Sequence, residues 1–485
     1  MLAATVVICL SVLIINRGPL FYFDTGSYFR QGNVALSMVL PPASRETGET
    51  AASKRPKAEV ADEDDTAGGS RSMAYALLVA AFWRADALAG VAVVQLAAVL
   101  LAVWLAMRML QRTADTGRST LELVTIPLLA AATTSLPFYV AYVMPDIFAA
   151  IMLILIAAVV AAGSQMRLAE GLAVLALGAF AVVLHSSHMG IAVLMVPIAV
   201  IAALLRRGQG RWIAAAFSLG LAVIAIAERK VFEVAVETAT KKEVMYTPHI
   251  TARLIVDGPG MAYLEETCPQ TDLATCALYE ALSWSDDPYR LTAAHIIFER
   301  SKRLGSFRLM QPEDQKAVAA EQREFFFRVL ANRPVATVLA LGQNAVDQLG
   351  SNSVVMTIPS GPVIRNAKSL SGLPEEKLVV LDNIRLTRDP SWLEPADTIH
   401  TAIYLISFAI VAWILVRPGQ VAPQMKVFAL FLLIGIAVNA LVCGGVSQPA
   451  PRYGARVIWL LPFAAAFLLL VRRHPKPRSD ARSAV

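Results

Sequence analysis

Asp24 stands just past the first apolar run, in Phe21-Tyr22-Phe23-Asp24-Thr25-Gly26-Ser27-Tyr28. A carboxylate where a helix leaves the bilayer is costly to hold, and points to chemistry. Held there, it can serve as a general base on an acceptor hydroxyl. Comparable groups recur further along the chain. Tyr139, Tyr142 and Asp146 share the segment Pro137-Phe138-Tyr139-Val140-Ala141-Tyr142-Val143-Met144-Pro145-Asp146. His185 and His188 bracket two serines, and Arg452, Tyr453 and Arg456 lie in Pro451-Arg452-Tyr453-Gly454-Ala455-Arg456. Arg452 and Arg456 are one helical turn apart, and a guanidinium fork matches phosphate oxygens. An acid, an arginine pair and imidazoles suit transfer of a group from a lipid phosphate to a hydroxyl. In that reading Asp24 is the base, and Arg452, Arg456, His185, His188, Asp146, Tyr28 and Tyr142 contact the substrate.

Each residue has a plainer reading. Asp24 or Asp146 can cap the helix that follows. For Asp146 the two roles weigh equally, whereas Thr25-Gly26-Ser27 could cap without Asp24. Tyrosines at this depth are ordinary interfacial anchors. The histidine spacing puts both rings on one helix face and would also fit a metal pair, but no third ligand is evident, so hydrogen bonding is favoured. Arg452 and Arg456 can snorkel to the interface. No cofactor is identified, and a divalent metal has no supporting ligand set. The sequence has no Walker motif and no glycine-rich fingerprint after a strand.

These residues need helices to hold them. The chain has 485 residues, 56% hydrophobic and 16% charged, which places it among polytopic membrane proteins. The net charge of +6 comes largely from helix-end Arg and Lys, with no basic tract interleaved with aromatics, so nucleic acid is not expected as a partner. Apolar runs at 2–15, 87–110, 121–136, 147–162, 168–184, 189–205, 212–227, 399–416, 427–443 and 457–471 predict an all-α fold of about ten spans. The shorter run 73–83 reads as a helix at the interface. The first run lacks the basic start and cleavage site of a signal peptide, and an upstream start would lengthen it.

Charge sets the expected orientation. Arg112, Arg167, Arg206, Arg211, Arg417 and Arg472 fall on one side of such a fold, which the positive-inside rule makes cytoplasmic. Both termini are then cytoplasmic in a bacterial inner membrane. The expected domains are a membrane region 1–228 with a first outer loop 16–72, a mainly helical extracytoplasmic domain 229–398, a second membrane region 399–471 and a basic tail 472–485. Within the first loop, 44–71 has a composition that cannot bury a core and predicts a mobile segment. In the domain, 291–304 is periodic, Pro312 and Pro334 open helices, and 359–362 and 373–374 mark loops. Cys9 and Cys443 lie in apolar runs; Cys268 and Cys276 are close enough to pair in an oxidising compartment, the alternative being two free thiols.

This arrangement resembles the GT-C class of membrane glycosyltransferases, which includes the protein O-mannosyltransferases and bacterial enzymes that use polyprenyl-phosphate sugars. The resemblance rests on a first span followed at once by Asp24, an interfacial helix at 73–83, many spans, and a large outside region after the seventh. It implies that Asp24 is the catalytic base, that the donor is a polyprenyl-linked sugar, and that transfer to an acceptor takes place outside the cytoplasm among membrane lipids. Two features depart from the class. Thr25 follows Asp24 where members often carry a second acid, and 229–398 shows no β-trefoil pattern. The stretch from Pro248 to Gly260 also reads like a recurring segment of bacterial membrane proteins. A transporter or lipid flippase is the second hypothesis, although the span centres are nearly free of charge. A non-catalytic scaffold or assembly factor is the third, and it predicts that Asp24 is freely replaceable.

Overall fold

Long apolar runs without internal charge set the architecture. The computed structural model describes residues 1–37, 40, 66–68, 71–208, 210–268, 270–284, 292–355, 358, 386 and 390–472. The expected loops at 359–362 and 373–374, the basic tail beyond 472, and all of 44–71 except 66–68 and Arg71 lie outside the described residues. Among the described residues, six helices are long and apolar enough to cross a membrane: Ala89–Gln111, Ile147–Gln165, Ser186–Leu205, Leu393–Val416, Pro423–Val446 and Pro451–Leu470. A bent pair, Pro312–Asn332 and Pro334–Gly350, adds a seventh if it forms one broken span, its arms meeting at 116°.

Four of the ten expected spans are not in this set. The run 2–15 is broken at Leu10 into Leu2–Cys9 and Ser11–Asn16. Thr120–Ala132 and Leu168–Val183 are apolar but short. The run 212–227 is only the first part of Ile213–Thr240, whose second half carries Glu228, Arg229, Lys230, Glu233 and Glu237. Two of the four runs thus break or continue into polar sequence, which hydropathy alone does not register, and the other two are short of 18 residues.

Ile147–Ala162 is the central pillar, with every residue buried. It packs against Gly90–Gln111, Leu168–Val183 and Pro423–Val446. A helix apolar on all sides can be enclosed in this way without stranding a polar side chain. Arg112, at the end of Gly90–Gln111, bonds Glu170 in the first turn of Leu168–Val183 and donates to the Gln165 carbonyl at 2.7 Å. Arg206 donates to the Val160 carbonyl. These contacts gather at the end of the bundle opposite Asp146, which begins the same pillar.

A second apolar core, around Phe307, Phe325 and Leu278, joins His249–Val256, Thr275–Leu282, Ala293–Phe298 and Pro312–Asn332. Pro312 and Pro334 each occupy the first turn of a helix, where a missing N–H costs nothing. The periodic stretch 291–304 is helical only over Ala293–Phe298, since Glu299 turns extended. Cys268 and Cys276 form a disulfide with Cα atoms 5.7 Å apart. Among the described residues, two strands interrupt the helical order. Thr66–Gly68 (β1) pairs in parallel with Glu243–Met245 (β2), Gly68 opposite Met245. This pairing ties the segment before Met73–Arg84 to the segment after Ile213–Thr240.

Candidate active site

The helix ends bring the polar groups together. Past the left-handed turn at Arg17, the chain runs alongside the segment before Asp146. Leu20 N donates to the Ala141 carbonyl at 2.8 Å, and Val143 N donates back to Leu20 at 2.9 Å. Thr25 Oγ1 donates to the Val143 carbonyl at 3.2 Å and accepts from Tyr22 N at 2.9 Å. Thr25 thus anchors the turn that carries Asp24. The Asp24 carbonyl accepts from Ser27 N (3.0 Å) and Tyr28 N (3.3 Å), opening the helix Thr25–Ser37 and leaving the side chain free for other partners.

Those partners are arginines. Arg452 Nη1 donates to Asp24 Oδ2 at 2.7 Å, and Arg71 donates to Asp24 Oδ1. Arg452 also grips Asp146 with Nε and Nη2, at 3.1 and 2.8 Å. Asp146 sits at the start of its helix, yet its side chain makes no cap. Its second cation is Arg456, Nη1 to Oδ1 at 3.3 Å. Arg456 has no exposed surface. Its remaining donors meet Asn439 Oδ1 (3.2 and 2.8 Å), Ser187 Oγ (3.0 Å) and Cys443 Sγ (3.1 Å). A phosphate would have to displace these partners to reach it, whereas the Arg452 side chain keeps 11% of its surface exposed.

The two histidines flank this chain of charges with rings 5.4 Å apart. His185 Nδ1 accepts from Ser187 N at 3.2 Å and so caps the helix Ser186–Leu205. His188 is buried, with Nδ1 2.7 Å from the Ala181 carbonyl, which assigns the proton to Nδ1 and leaves Nε2 without a hydrogen bond. Among the described residues, no group of three or more His, Cys, Asp or Glu is placed to hold a metal ion. Tyr28 is buried edge-on against Tyr75, centroids 5.0 Å apart, and Tyr142 packs edge-on against Tyr22 at 5.9 Å. Tyr22 in turn lies under the Arg452 guanidinium at 4.8 Å.

Backbone bracing holds the arginine helix. Tyr139 OH donates to the Arg452 carbonyl (2.8 Å), Asn439 Nδ2 to Tyr453 (2.8 Å) and Ser135 Oγ to Ala455 (2.6 Å). Gln348 closes the approach by bonding both the N–H and the carbonyl of Ala450, at 2.9 and 3.0 Å. Gly454 lets the helix come this close. A Cβ there would sit 2.1 Å from the Ser351 carbonyl oxygen. Gly454→Ala is therefore expected to destabilise the protein by about 1–3 kcal/mol, read as a lower thermal midpoint of the purified protein. An unchanged midpoint would show that Ser351 yields freely.

Three residues in the cluster escaped sequence reasoning as site members. Arg71 ends a low-complexity stretch and has no motif around it. Asn439, polar within an apolar run, carried a signal, since buried polar groups in spans need partners. His249, in the recurring stretch after Thr247, lies in the field of Asp24 and Arg71 and packs 5.6 Å from Phe298. Burial first, and Arg71 second, push its imidazole down to about 4. At Asp24, burial alone would raise the carboxyl, but Arg71 and Arg452 outweigh it and hold the group below its ordinary value. Next to the cluster is a cavity lined by Arg71, Ser72, His185, Ser186, Arg229 and Tyr246, with Glu228 also on its wall.

The fold and the buried charges define a polytopic helical membrane protein with a polar cluster at one end of its bundle. No family model matches the sequence, and no curated protein matches it. Among solved structures, it is similar to ArnT from Cupriavidus metallidurans in the apo state, at 12% identity and a TM-score of 0.33, over 97% of this chain and 76% of that one. At that level of likeness nothing about sites or chemistry passes from one chain to the other.

Proposed function

We propose that this chain is an inner-membrane glycosyltransferase that moves a sugar from a polyprenyl-phosphate donor to an extracytoplasmic acceptor, with Asp24 as general base. The observation that carries this reading is the junction of Asp24 with Arg452 and Asp146 beside a cavity lined by further cations. In the proposed step, the acceptor hydroxyl oxygen forms a bond to the sugar's anomeric carbon. The bond from that carbon to the phosphate oxygen breaks, and the electron pair leaves with the polyprenyl phosphate. The hydroxyl proton passes to Asp24. Arg452 keeps the carboxylate aimed, Asp146 and Arg456 keep Arg452 in place, and Tyr28, Tyr142, His185 and His188 shape the surroundings.

The orientation belongs to the same proposal. The disulfide supports an oxidising side for the 229–398 region, and hence an extracytoplasmic position for it and for Asp24. The domains follow as 1–228, 229–398, 399–471 and a cytoplasmic tail, with both termini in the cytoplasm. A carrier would be better served by charge midway along its spans, whereas this cluster sits at helix starts.

The test compares envelope glycolipids and glycans by mass spectrometry between cells making the natural protein and cells making Asp24→Asn at equal levels. Loss of one product class supports the reading. The pH dependence supplies a second check. A carboxyl held low stays ionised as pH falls through the ordinary carboxylate range, so kcat/KM should stay level there and drop only below it. The same sign applies to stability: the contribution of Asp24 is present above its unfolded value and is lost as pH falls through its lower folded value. An acid limb of kcat/KM centred above about 3.9 would contradict the assignment.

A further inference from the structure

Asp24 is doubly held, and that poses a problem for a base. Arg71 occupies one carboxylate oxygen and Arg452 the other. Arg452 is committed, because three of its donors already serve two carboxylates and Tyr139 holds its carbonyl. Arg71 is not. Its Nε is buried without a hydrogen-bond partner, and Asp24 is the one ion pair recorded for it among the described residues. Arg71 also faces the cavity, so a single guanidinium borders both the carboxylate and the empty space.

The cavity wall sets two arginines and two serines beside an apolar side made by Val182, Val183, Met189, Ala225 and Phe232. Arg229 also lines it, stacked 3.3 Å over the Tyr246 ring and 3.6 Å from Glu233, which Lys230 bonds at 2.6 Å. Ser72 and Ser186 bring hydroxyls. Glu228 is the one carboxylate on the wall among the described residues, beside two arginines. Ser72 caps Met73–Arg84, and His185 caps Ser186–Leu205, so two helix starts meet here as well. Two guanidinium forks and two hydroxyls on one cavity wall are groups that can bond the oxygens of a phosphate.

We propose that Arg71 is an exchangeable partner of Asp24: a phosphate group seated in the cavity between Arg71 and Arg229 draws Arg71 off the carboxylate and frees the base. The inference rests on the functional reading above and deepens it. Donor occupancy and base availability become one event, so Asp24 is unmasked only when the phosphate is in place. The pairing of β1 with β2 supports the exchange mechanically. It ties the strand that leads to Arg71 to the strand that leads to Tyr246, and so keeps Arg71 at the rim in both states.

The test is binding by the full-length protein in lipid nanodiscs, titrated separately with inorganic phosphate and with farnesyl phosphate. Arg71→Gln and Arg229→Gln should each weaken binding about tenfold, while Arg323→Gln, on an exposed helix face, should leave it unchanged. Asp24→Asn should tighten binding about threefold or more by releasing Arg71, and that gain should vanish in the Asp24→Asn/Arg71→Gln double variant. Preference for farnesyl phosphate assigns the site to a lipid phosphate, and equal binding assigns it to a free one. Either outcome supports the proposal. Absence of binding, binding indifferent to both arginines, or weaker binding by Asp24→Asn overturns it. If Arg71→Gln is poorly folded, Arg229→Gln and Asp24→Asn decide alone. Binding does not depend on turnover. A chain that binds phosphate as described but keeps its products in Asp24→Asn would sink the glycosyltransferase reading and leave the exchange standing. The reverse result would do the opposite.

Discussion

Asp24→Asn is expected to lower glycosyl transfer by about 10²–10⁴-fold, the range for removing a positioned general base. The protein should still reach the membrane in near-normal amount. Asn keeps the shape, and its carbonyl oxygen can still accept from Arg452, which retains both bonds to Asp146. Arg71 keeps access to water, with about a third of its side chain exposed (30%), so its charge is not stranded. The Asp24 carbonyl, which opens the following helix, is untouched by the change. The substitution therefore separates chemistry from folding. The measurement is product abundance by mass spectrometry, normalised to protein in the membrane fraction. A scaffold would show no change, and unchanged products at normal protein levels would remove Asp24 as the base.

Asp146→Ala should damage the fold more than any other single change in the cluster. Asp146 is 1% exposed and is shared by Arg452 and Arg456, the latter wholly buried. Removing the carboxylate leaves Arg456 with only neutral partners in a place water does not reach. Breaking a buried pair in this way costs about 3–5 kcal/mol, whereas replacing both partners by apolar groups is often neutral. The double variant Asp146→Leu/Arg456→Met should therefore be more stable than Asp146→Ala. Thermal midpoints and the folded fraction after detergent extraction give the comparison. A single variant within about 1 kcal/mol of the natural protein, or a double variant worse than the single, would show that the charges are less isolated than their burial implies.

The two predictions fall on residues that differ in how legible they were. Asp24 was visible from its position beyond an apolar run, because the cost of a carboxylate at a membrane boundary is a local matter. At Asp146 the sequence does not separate capping from function, because Asp at a helix start fits either. The difference was made by Arg452, 306 residues away, which takes the side chain that a cap would use. Arg456 ran the other way. Its spacing from Arg452 suggested a second phosphate contact, but Asn439, Ser187 and Cys443 fill its donors. Arg71 had no sequence signal, since its role arises only from contact with a carboxylate 47 residues earlier.

The sequence by itself determined that this is a helical membrane protein with polar groups at its helix ends. Hydropathy and helix-start chemistry act over one or two turns, and a chain states them directly. The count of helices able to span was less secure, since breaks such as Leu10 and the polar continuation after Ala227 depend on where each helix packs. Only the tertiary structure decided which ends meet. Asp24 and Arg452 are 428 residues apart, and no local pattern links them. Electrostatic pairing depends on distance in space, and that distance is set by how the pillar Ile147–Ala162 gathers its neighbours at one end.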